Sequence, residues 1–244
     1  MVRFNFNPPN RFVGWVAGPP LVGGPSCLQR MRMRTNVYID GFNFYYGCLK
    51  GTPFKWLDFA AYCGAAFPPP RNRIERIRYF TAHVNARPND PHQPIRQQTY
   101  LRALRTIPHL TIHLGSYQEK PTRLPIHPPP ATGPKTVQVM KSEEKGSDVN
   151  IATYLLVDAF DGDFDVAVVI SNDSDLAEPI RLVRRKFRKV VIVLHPCGPG
   201  RKPSFELRKV ASKSMIADAS LLPACQFPPT LADAVGTITK PASW

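Results

Sequence analysis

The sequence lacks any apolar run approaching the roughly 18 residues that a membrane-spanning helix requires. The apolar stretches near its N terminus are interrupted by Gly and Pro, so they lack the continuous apolar core of a secretory signal. We therefore expect a soluble, cytoplasmic protein that makes no membrane contact.

Cysteine is also scarce, with five residues that are widely spaced and contain no C-x-x-C pair. This spacing argues against a disulfide framework or a zinc site and predicts reduced thiols. The six histidines are scattered and none forms a nucleophile motif with Ser or Cys. No G-x-x-x-x-G-K-[ST] motif occurs, which argues against a P-loop NTPase.

Acidic residues are few, 18 against 32 Lys and Arg, and the formal net charge is +14 with a pI near 9.9. Such an excess favours a polyanionic partner, nucleic acid in particular. The simpler alternative is a basic protein whose charge serves only solubility. At 244 residues and 43% hydrophobic content, the chain is long enough for one good-sized domain with extensions.

Composition divides the chain into three parts. Residues 1–34 form a basic Pro/Gly-rich extension, which we expect to be flexible; an arm that contacts nucleic acid is the alternative. Residues 35–220 form the main domain, with a Pro-rich insertion at about 118–135 that we expect to be nearly structureless. Residues 221–244 are a C-terminal tail.

Predicted strands and helices alternate from residue 36 onward. Strands are expected at 36–40, 76–84, 110–117, 136–144, 164–171 and 189–195, and helices at 54–67, 92–107, 146–160 and 175–187. Continuous apolar strands separated by helices are typical of a parallel sheet covered on both faces. The predicted fold is a three-layer α/β/α sandwich with a central, mainly parallel sheet.

Acidic residues follow two of the predicted strands. Asp40 closes the first strand, and the sequence SNDSD at 171–175 closes the strand at 164–171. Ligands bind at the carboxyl ends of parallel strands where the strand order reverses, so we expect these side chains on one rim of the sheet. Asp148 begins the inward stripe of the helix predicted at 146–160 and is expected to point to the same rim.

Each aspartate has a simpler explanation as a helix cap. Asp148 would favour a helix N-terminus, and Asp173 or Asp175 would cap the next helix. One helix needs one cap, whereas four capping-type residues run from Asn172 to Asp175, and Asp40 begins no cap-and-box pattern. Clustered carboxylates repel one another unless a cation lies between them, so the pattern favours a magnesium or manganese site with oxygen ligands. Such an ion suits phosphodiester cleavage.

Three segments carry a family resemblance: VYIDGFNFYYG at 37–47, EKGSDVNIATYLLVDAF at 144–160 and DVAVVISNDSDLAEPIRLVRR at 165–185. Together and in this order they resemble the NYN domain, a branch of the PIN-like ribonuclease superfamily that includes LabA-like proteins. The resemblance covers about residues 35–220. It implies an α/β/α sandwich, a magnesium or manganese site built from acidic residues, and metal-dependent cleavage of RNA.

The resemblance also implies roles for individual residues. The catalytic and metal-binding set would be Asp40, Asp148, Asp173 and Asp175, and the supporting set Asn43, Asn172 and Ser147. Lys145 lies in the matching KGSD segment and would contact phosphate, with a solvated lysine as the alternative. Independently of the resemblance, the basic run at 181–189 supplies candidate phosphate contacts, with a solvated helix face as the alternative: Arg181, Arg184 and Arg185.

The sequence thus predicts a metal-dependent endoribonuclease acting on single-stranded or structured RNA. A non-catalytic RNA-binding or regulatory module of the same fold stays open, as does assembly into a homo-oligomer or a protein complex. The D-x-D at 173–175 also resembles that of nucleotide-sugar transferases, and Asp40 resembles the strand-end aspartate of haloacid-dehalogenase phosphatases. Neither reading accounts for Asp148, and the first strand lacks the D-x-D of those phosphatases.

Overall fold

The structure, a computed structural model, describes residues 32–198 and 200–244. Most of the predicted N-terminal extension therefore lies outside the described residues. The strands are β1 (Met33–Asp40), β2 (Asn72–Thr81), β3 (Leu110–Leu114), β4 (Ser116–Pro125), β5 (Thr136–Lys145), β6 (Val166–Ile170), β7 (Val190–His195), β8 (Lys213–Ile216), β9 (Thr230–Asp233) and β10 (Gly236–Thr239). The helices are α1 (Gly41–Phe44), α2 (Phe59–Ala66), α3 (Gln93–Arg105), α4 (Ser147–Phe160), α5 (Ala177–Lys186) and α6 (Phe205–Val210).

Six parallel strands form the central sheet in the order β3-β2-β1-β6-β7-β8. The chain builds outward from β1 in one direction through β2 and β3, and then in the other direction through β6, β7 and β8. The order therefore reverses between β1 and β6. This confirms the predicted α/β fold with a parallel central sheet flanked by helices.

Successive side chains of β1 point alternately to the two faces of the sheet. Val37 and Ile39 belong to a core with α2 and α3, whereas Tyr38 belongs to a core with α4, α5 and α6. All three are fully buried, as expected for a central strand with helices on both sides. β6 is buried at every position, which explains its nearly all-apolar sequence.

A buried ion pair lies in the layer between the sheet and α4. The Arg78 guanidinium is 2.7 Å from a carboxylate oxygen of Asp158, and the Tyr38 hydroxyl donates to that carboxylate at 2.7 Å. The Asp158 side chain is only 3% exposed. Since charges buried in this way are stable only when paired, Asp158 has a structural role and belongs to the core of the domain.

The Pro-rich insertion departs from prediction in its first part, because residues 118–125 belong to strand β4. β4 and β5 pair along their full length as an antiparallel hairpin, with Ser116 opposite Lys145 and Pro125 opposite Thr136. These two strands form a sheet of their own. Among residues 32–198 and 200–244, each has one edge with no partner strand, and proline is tolerated there because no hydrogen-bond donor is needed.

The predicted helix at 54–67 begins later than expected. Asp58 caps α2, since its carboxylate accepts hydrogen bonds from the backbone N–H groups of Ala60 at 2.8 Å and Ala61 at 3.1 Å. Trp56 and Leu57, just before this cap, are fully buried in non-helical backbone. The cap at Asp58 therefore marks the true start of the helix.

Residues 221–244 pack onto the same side of the sheet as α3. The indole N–H of Trp56 donates to the Pro228 carbonyl at 2.8 Å, and the ring of Trp56 lies 5.8 Å from that of Phe227. Arg102 of α3 pairs with Asp233 at 2.8 Å. The tail thus contributes to the core. None of the helices within 32–198 and 200–244 has both the length and the hydropathy needed to cross a bilayer.

Candidate functional site

The reversal of strand order places β1 and β6 side by side at the centre of the sheet. Ile39 pairs with Ile170, so the next residues along each strand, Asp40 and Ser171, leave the sheet together at its carboxyl-terminal rim. In open α/β sheets this switch point is where ligands bind.

Asp40 is 4% exposed and held in one orientation by three hydrogen bonds. One carboxylate oxygen accepts from the backbone N–H of Asn43 at 2.9 Å, and the other accepts from the Asn43 amide at 2.9 Å and the Ser171 hydroxyl at 3.0 Å. Burial raises the pKa of Asp40, and these hydrogen bonds oppose the rise. Asp40 is also the N-cap of α1, so the simpler explanation as a helix cap applies to it as well.

Asp173 is connected to Asp40 through Ser171. The Asp173 backbone N–H donates to the Ser171 hydroxyl oxygen at 3.1 Å, and that hydroxyl donates to Asp40. The Asp173 carboxylate accepts from the backbone N–H of Asp175 at 2.9 Å and caps the short 3-10 turn Ser174–Leu176. Asp173 thus both caps this turn and lies at the rim, while Asp175 is exposed.

Asp148 lies in the first turn of α4 and faces the other carboxylates. Its pKa is raised to about 6, first by burial and then by the charges of neighbouring acids: Asp40, Asp173, Glu144 and Asp175. Charges influence one another in this way only at short range. The four aspartates chosen from the sequence therefore share one electrostatic site with Glu144, and we call these five residues the carboxylate cluster.

Glu144 was not identified from the sequence. Its carboxylate accepts from the Ser147 backbone N–H at 3.2 Å and from the Ser147 hydroxyl at 2.9 Å. Gly146, at the N-cap position of α4, has no side chain to do this, so Glu144 caps the helix from the end of β5. Ser147 is accordingly a buried structural partner of Glu144. The sequence did contain a signal for this role, because Glu144 stands three residues before the start of α4 and the N-cap residue Gly146 has no side chain.

Asn172 lies beside the carboxylate cluster, but its side chain is committed elsewhere. Its amide oxygen accepts from Nδ1 of His195 at 2.8 Å and from the Ser204 backbone N–H at 2.7 Å, and its amide nitrogen donates to the Lys202 carbonyl at 3.0 Å. Burial lowers the pKa of His195, which keeps the ring neutral. Asn172 therefore anchors the segment after β7, and its amide is not directed at the carboxylates.

The predicted phosphate contacts fall into two places. Lys145 ends β5, where it is 54% exposed and pairs with Glu143 at 3.1 Å. The arginines of α5 line a surface cavity of about 360 Å³ together with Lys209 of α6: Arg181, Arg184 and Arg185. Arg184 is fixed there by a 2.6 Å hydrogen bond to the Val210 carbonyl. α5 leads away from the rim at about 1.5 Å per residue, so this basic surface begins on the order of 10 Å from the carboxylates.

The donors of the carboxylate cluster fit a hard divalent cation. All are carboxylate oxygens, and the largest charge effects on Asp148 come from other acids. Over residues 32–198 and 200–244, no three His, Cys, Asp or Glu side chains stand close enough to hold an ion as they are. Mg²⁺ usually retains several waters and uses one or two protein carboxylates with substrate phosphate, so a closed set of three is not required.

The molecule is thus a doubly wound α/β protein with an acidic site at the switch point of its parallel sheet. The chain belongs to the NYN domain family, which it matches over residues 34–218. It is similar to 6-hydroxy-3-succinoylpyridine 3-monooxygenase HspA of Pseudomonas putida strain S16, with 34% identity over 243 residues, covering 89% of this chain and 77% of that protein. A crystal structure of a protein of unknown function from Vibrio parahaemolyticus RIMD 2210633 gives a TM-score of 0.49 at 18% identity, covering 77% of this chain and 94% of the other.

Proposed function

We propose that this protein is a metal-dependent endoribonuclease that hydrolyses phosphodiester bonds of single-stranded or structured RNA at the carboxylate cluster. Membership of the NYN domain family supports the proposal. The net charge of +14 supports a polyanionic substrate, because a surface of net positive charge attracts the RNA backbone.

The observation that carries the proposal is the convergence of acids from three segments at the switch point. Asp40 follows β1, Asp173 follows β6, and Asp148 starts α4. Ser171 links the first two through hydrogen bonds of 3.0 and 3.1 Å. Helix capping explains the position of Asp40 and that of Asp173 separately. It does not require both residues to bond to Ser171 or to lie near the carboxylate of Asp148.

We assign the metal to Asp40, Asp148, Asp173 and Asp175, with Mg²⁺ or Mn²⁺ as the ion. When bound, the ion would neutralise charge on the phosphoryl group and lower the pKa of a bound water. Asn43 and Ser171 hold the Asp40 carboxylate in place, which pre-organises one ligand. Glu144 and Ser147 fix the start of α4 and with it the position of Asp148.

In the hydrolysis, a water oxygen bonds to phosphorus, the bond from phosphorus to the leaving ribose oxygen breaks, and that oxygen takes up a proton. The attacking water loses its proton in the same reaction, and the carboxylate cluster supplies the acceptor for it. The arginines of α5 and Lys209 would hold phosphates further along the strand.

We assign this chemistry to a domain spanning residues 35–220 and place the protein in the cytoplasm. The four cysteines within the described residues, Cys48, Cys63, Cys197 and Cys225, are free, which fits a reducing compartment.

A second candidate function follows from the relative named as a monooxygenase, because the identity of 34% extends over 89% of this chain. It is oxygenation of a hydroxylated pyridine: one atom of O₂ is inserted into a ring C–H bond to give C–OH, the other leaves as water with two protons, and a reduced nicotinamide or flavin supplies two electrons. This candidate predicts that NADH is oxidised only when the pyridine is present, and that RNA is not cleaved.

One pair of assays separates the candidates. Full-length protein is incubated with labelled RNA or DNA in Mg²⁺, Mn²⁺ or EDTA, and in parallel with 6-hydroxy-3-succinoylpyridine, O₂ and NADH. We expect RNA fragments that require the metal and no NADH oxidation dependent on the pyridine. RNA binding without cleavage in any ion would replace the nuclease by a non-catalytic RNA-binding module, and turnover of the pyridine would establish the second candidate.

A further inference from the structure

A cavity of about 140 Å³ lies directly beside the carboxylate cluster. Six aromatic residues line it beside a similar number of polar ones, and these aromatic residues come from α1 and the turn after it, from β2, from α3 and from the C-terminal tail: Phe42, Tyr45, Tyr46, Tyr79, Tyr100 and Trp244. We call this cavity the ring pocket. The carboxylate chemistry proposed above does not use it.

The ring pocket and the carboxylate cluster share a wall at Gly41, the residue after Asp40. A Cβ atom at Gly41 would lie 2.7 Å from the Tyr79 hydroxyl and 2.8 Å from the Phe80 carbonyl oxygen, so only glycine fits between Asp40 and the Tyr79 ring. Burial raises the pKa of Tyr79, and the charge of Asp40 raises it further, as expected for neighbours. A ligand in the pocket would thus lie next to the proposed reaction centre.

The size of the ring pocket suits a single six-membered ring. A cavity of about 150 Å³ in another protein is known to accept benzene. At about 140 Å³ the ring pocket has room for one such ring.

The polar residues of the ring pocket suit a ring with hydrogen-bonding edges. Lys55, Asp90 and Arg96 line it, and Arg96 pairs with Asp90, so both donors and acceptors border the aromatic walls. Gln97 is already occupied, since its amide binds the backbone of Val84 and Ala82. Aromatic walls with charged and polar groups at one edge are typical of sites that stack an unpaired base.

We propose that the ring pocket binds a pyrimidine base of the RNA strand, in a nucleotide adjacent to the phosphate at the carboxylate cluster. The proposal rests on the proposed ribonuclease function and adds a base preference to it: cleavage is faster next to uridine or cytidine than next to a purine. Tyr46 at the pocket mouth is 43% exposed and stacks on the base.

The first experiment measures binding without turnover. UMP, AMP and ribose 5-phosphate are titrated by calorimetry into full-length wild type, Tyr46→Ala, Tyr46→Phe and Phe160→Ala. Phe160 is a matched control, an aromatic residue 78% exposed on α4 and outside the pocket. We expect UMP to bind about tenfold more tightly than ribose 5-phosphate and more tightly than AMP, with this advantage lost in Tyr46→Ala and kept in the other two variants.

Equal affinities for UMP and ribose 5-phosphate, tighter binding of AMP than of UMP, or an unchanged UMP affinity in Tyr46→Ala would each overturn the pocket assignment. Binding of 6-hydroxy-3-succinoylpyridine that depends on Tyr46, without binding of UMP, would also overturn it and would assign the pocket to a free pyridine.

The second experiment separates failure of the pocket from failure of the nuclease. Cleavage of RNAs that differ only in the base beside one cut position is compared for wild type and Tyr46→Ala. Metal-dependent cleavage with no base preference, or with the same preference in both proteins, overturns the pocket assignment and leaves the nuclease intact. Failure of wild type to cut any RNA overturns the nuclease, and the UMP titration then decides by itself whether the ring pocket binds a pyrimidine base.

Discussion

Replacing Asp148 by asparagine should stabilise the metal-free protein at neutral pH. The pKa of Asp148 is raised to about 6 because the side chain is partly buried among other carboxylates. Its ionised form is therefore less favourable in the folded protein than in the unfolded chain, where the pKa is near 3.8. Asparagine keeps the shape and removes the charge.

The size of the stabilisation by Asp148→Asn and the pH range over which it appears both follow from the raised pKa of Asp148. A rise of the pKa from 3.8 to about 6 corresponds to a loss of about 3 kcal/mol in the free energy of unfolding if the charge is fully buried. Because Asp148 is partly exposed, solvent screening reduces this loss to about 1 kcal/mol. Between about pH 4 and pH 6 the folded state holds the proton and the unfolded state releases it, so wild type loses this stability as the pH rises through the window. Below about pH 4 the carboxyl is protonated in both states and the difference vanishes.

Urea denaturation in EDTA at pH 4 and at pH 8 tests this directly. We expect Asp148→Asn to exceed wild type by about 1 kcal/mol at pH 8, or about 2–4 °C in Tm, and to equal it at pH 4. Adding Mn²⁺ should stabilise wild type more than the variant, because the ion relieves the repulsion that asparagine has already removed. Asp148→Asn that is less stable than wild type at pH 8 would refute the reasoning.

Three further variants test other parts of the structure. Gly41→Ala, which brings a Cβ to 2.7 Å from the Tyr79 hydroxyl, should lower the free energy of unfolding by about 1–3 kcal/mol in urea; a neutral change would mean that the shared wall yields easily. Asp158→Ala should cost about 3–5 kcal/mol, because it leaves a buried guanidinium unpaired; a loss below 1 kcal/mol would contradict the structural role. The double variant Arg184→Gln/Arg185→Gln should weaken RNA binding and reduce the slope of log affinity against log salt by about 1.4, in a filter-binding titration; an unchanged slope would remove both arginines from the RNA interface.

Five of the six strands of the central sheet could be predicted from their apolar, β-branched sequences, whereas the short edge strand β8 was not predicted. The apolar run 166–170 is buried throughout, and Asp40 comes where the central strand ends. Strand β5 was predicted at 136–144, but its partner β4 was not, because the prolines of β4 argue against a strand unless the strand has an open edge, and only the three-dimensional pairing reveals such an edge.

Within the carboxylate cluster, the sequence pointed to Asp40, Asp148 and Asp173 because each stands at the end of a strand or the start of a helix. It did not point to Glu144, which reaches the cluster from the end of a strand in the hairpin. The commitment of Asn172 to His195 and Lys202 was equally hidden, since both partners are more than 20 residues away along the chain. Long-range hydrogen bonds of this kind leave no local pattern.

The most direct test of the carboxylate cluster as a nuclease centre is the initial rate of cleavage of a 5′-labelled single-stranded RNA in Mn²⁺. Wild type is compared with Asp40→Asn and with Asp161→Asn, an exposed aspartate at the far end of α4. We predict that wild type and Asp161→Asn cut at similar rates, that EDTA stops both, and that Asp40→Asn is slower by at least about 100-fold while still folded. Cleavage that survives EDTA, or an Asp40→Asn rate equal to that of wild type, would contradict the assignment of this site.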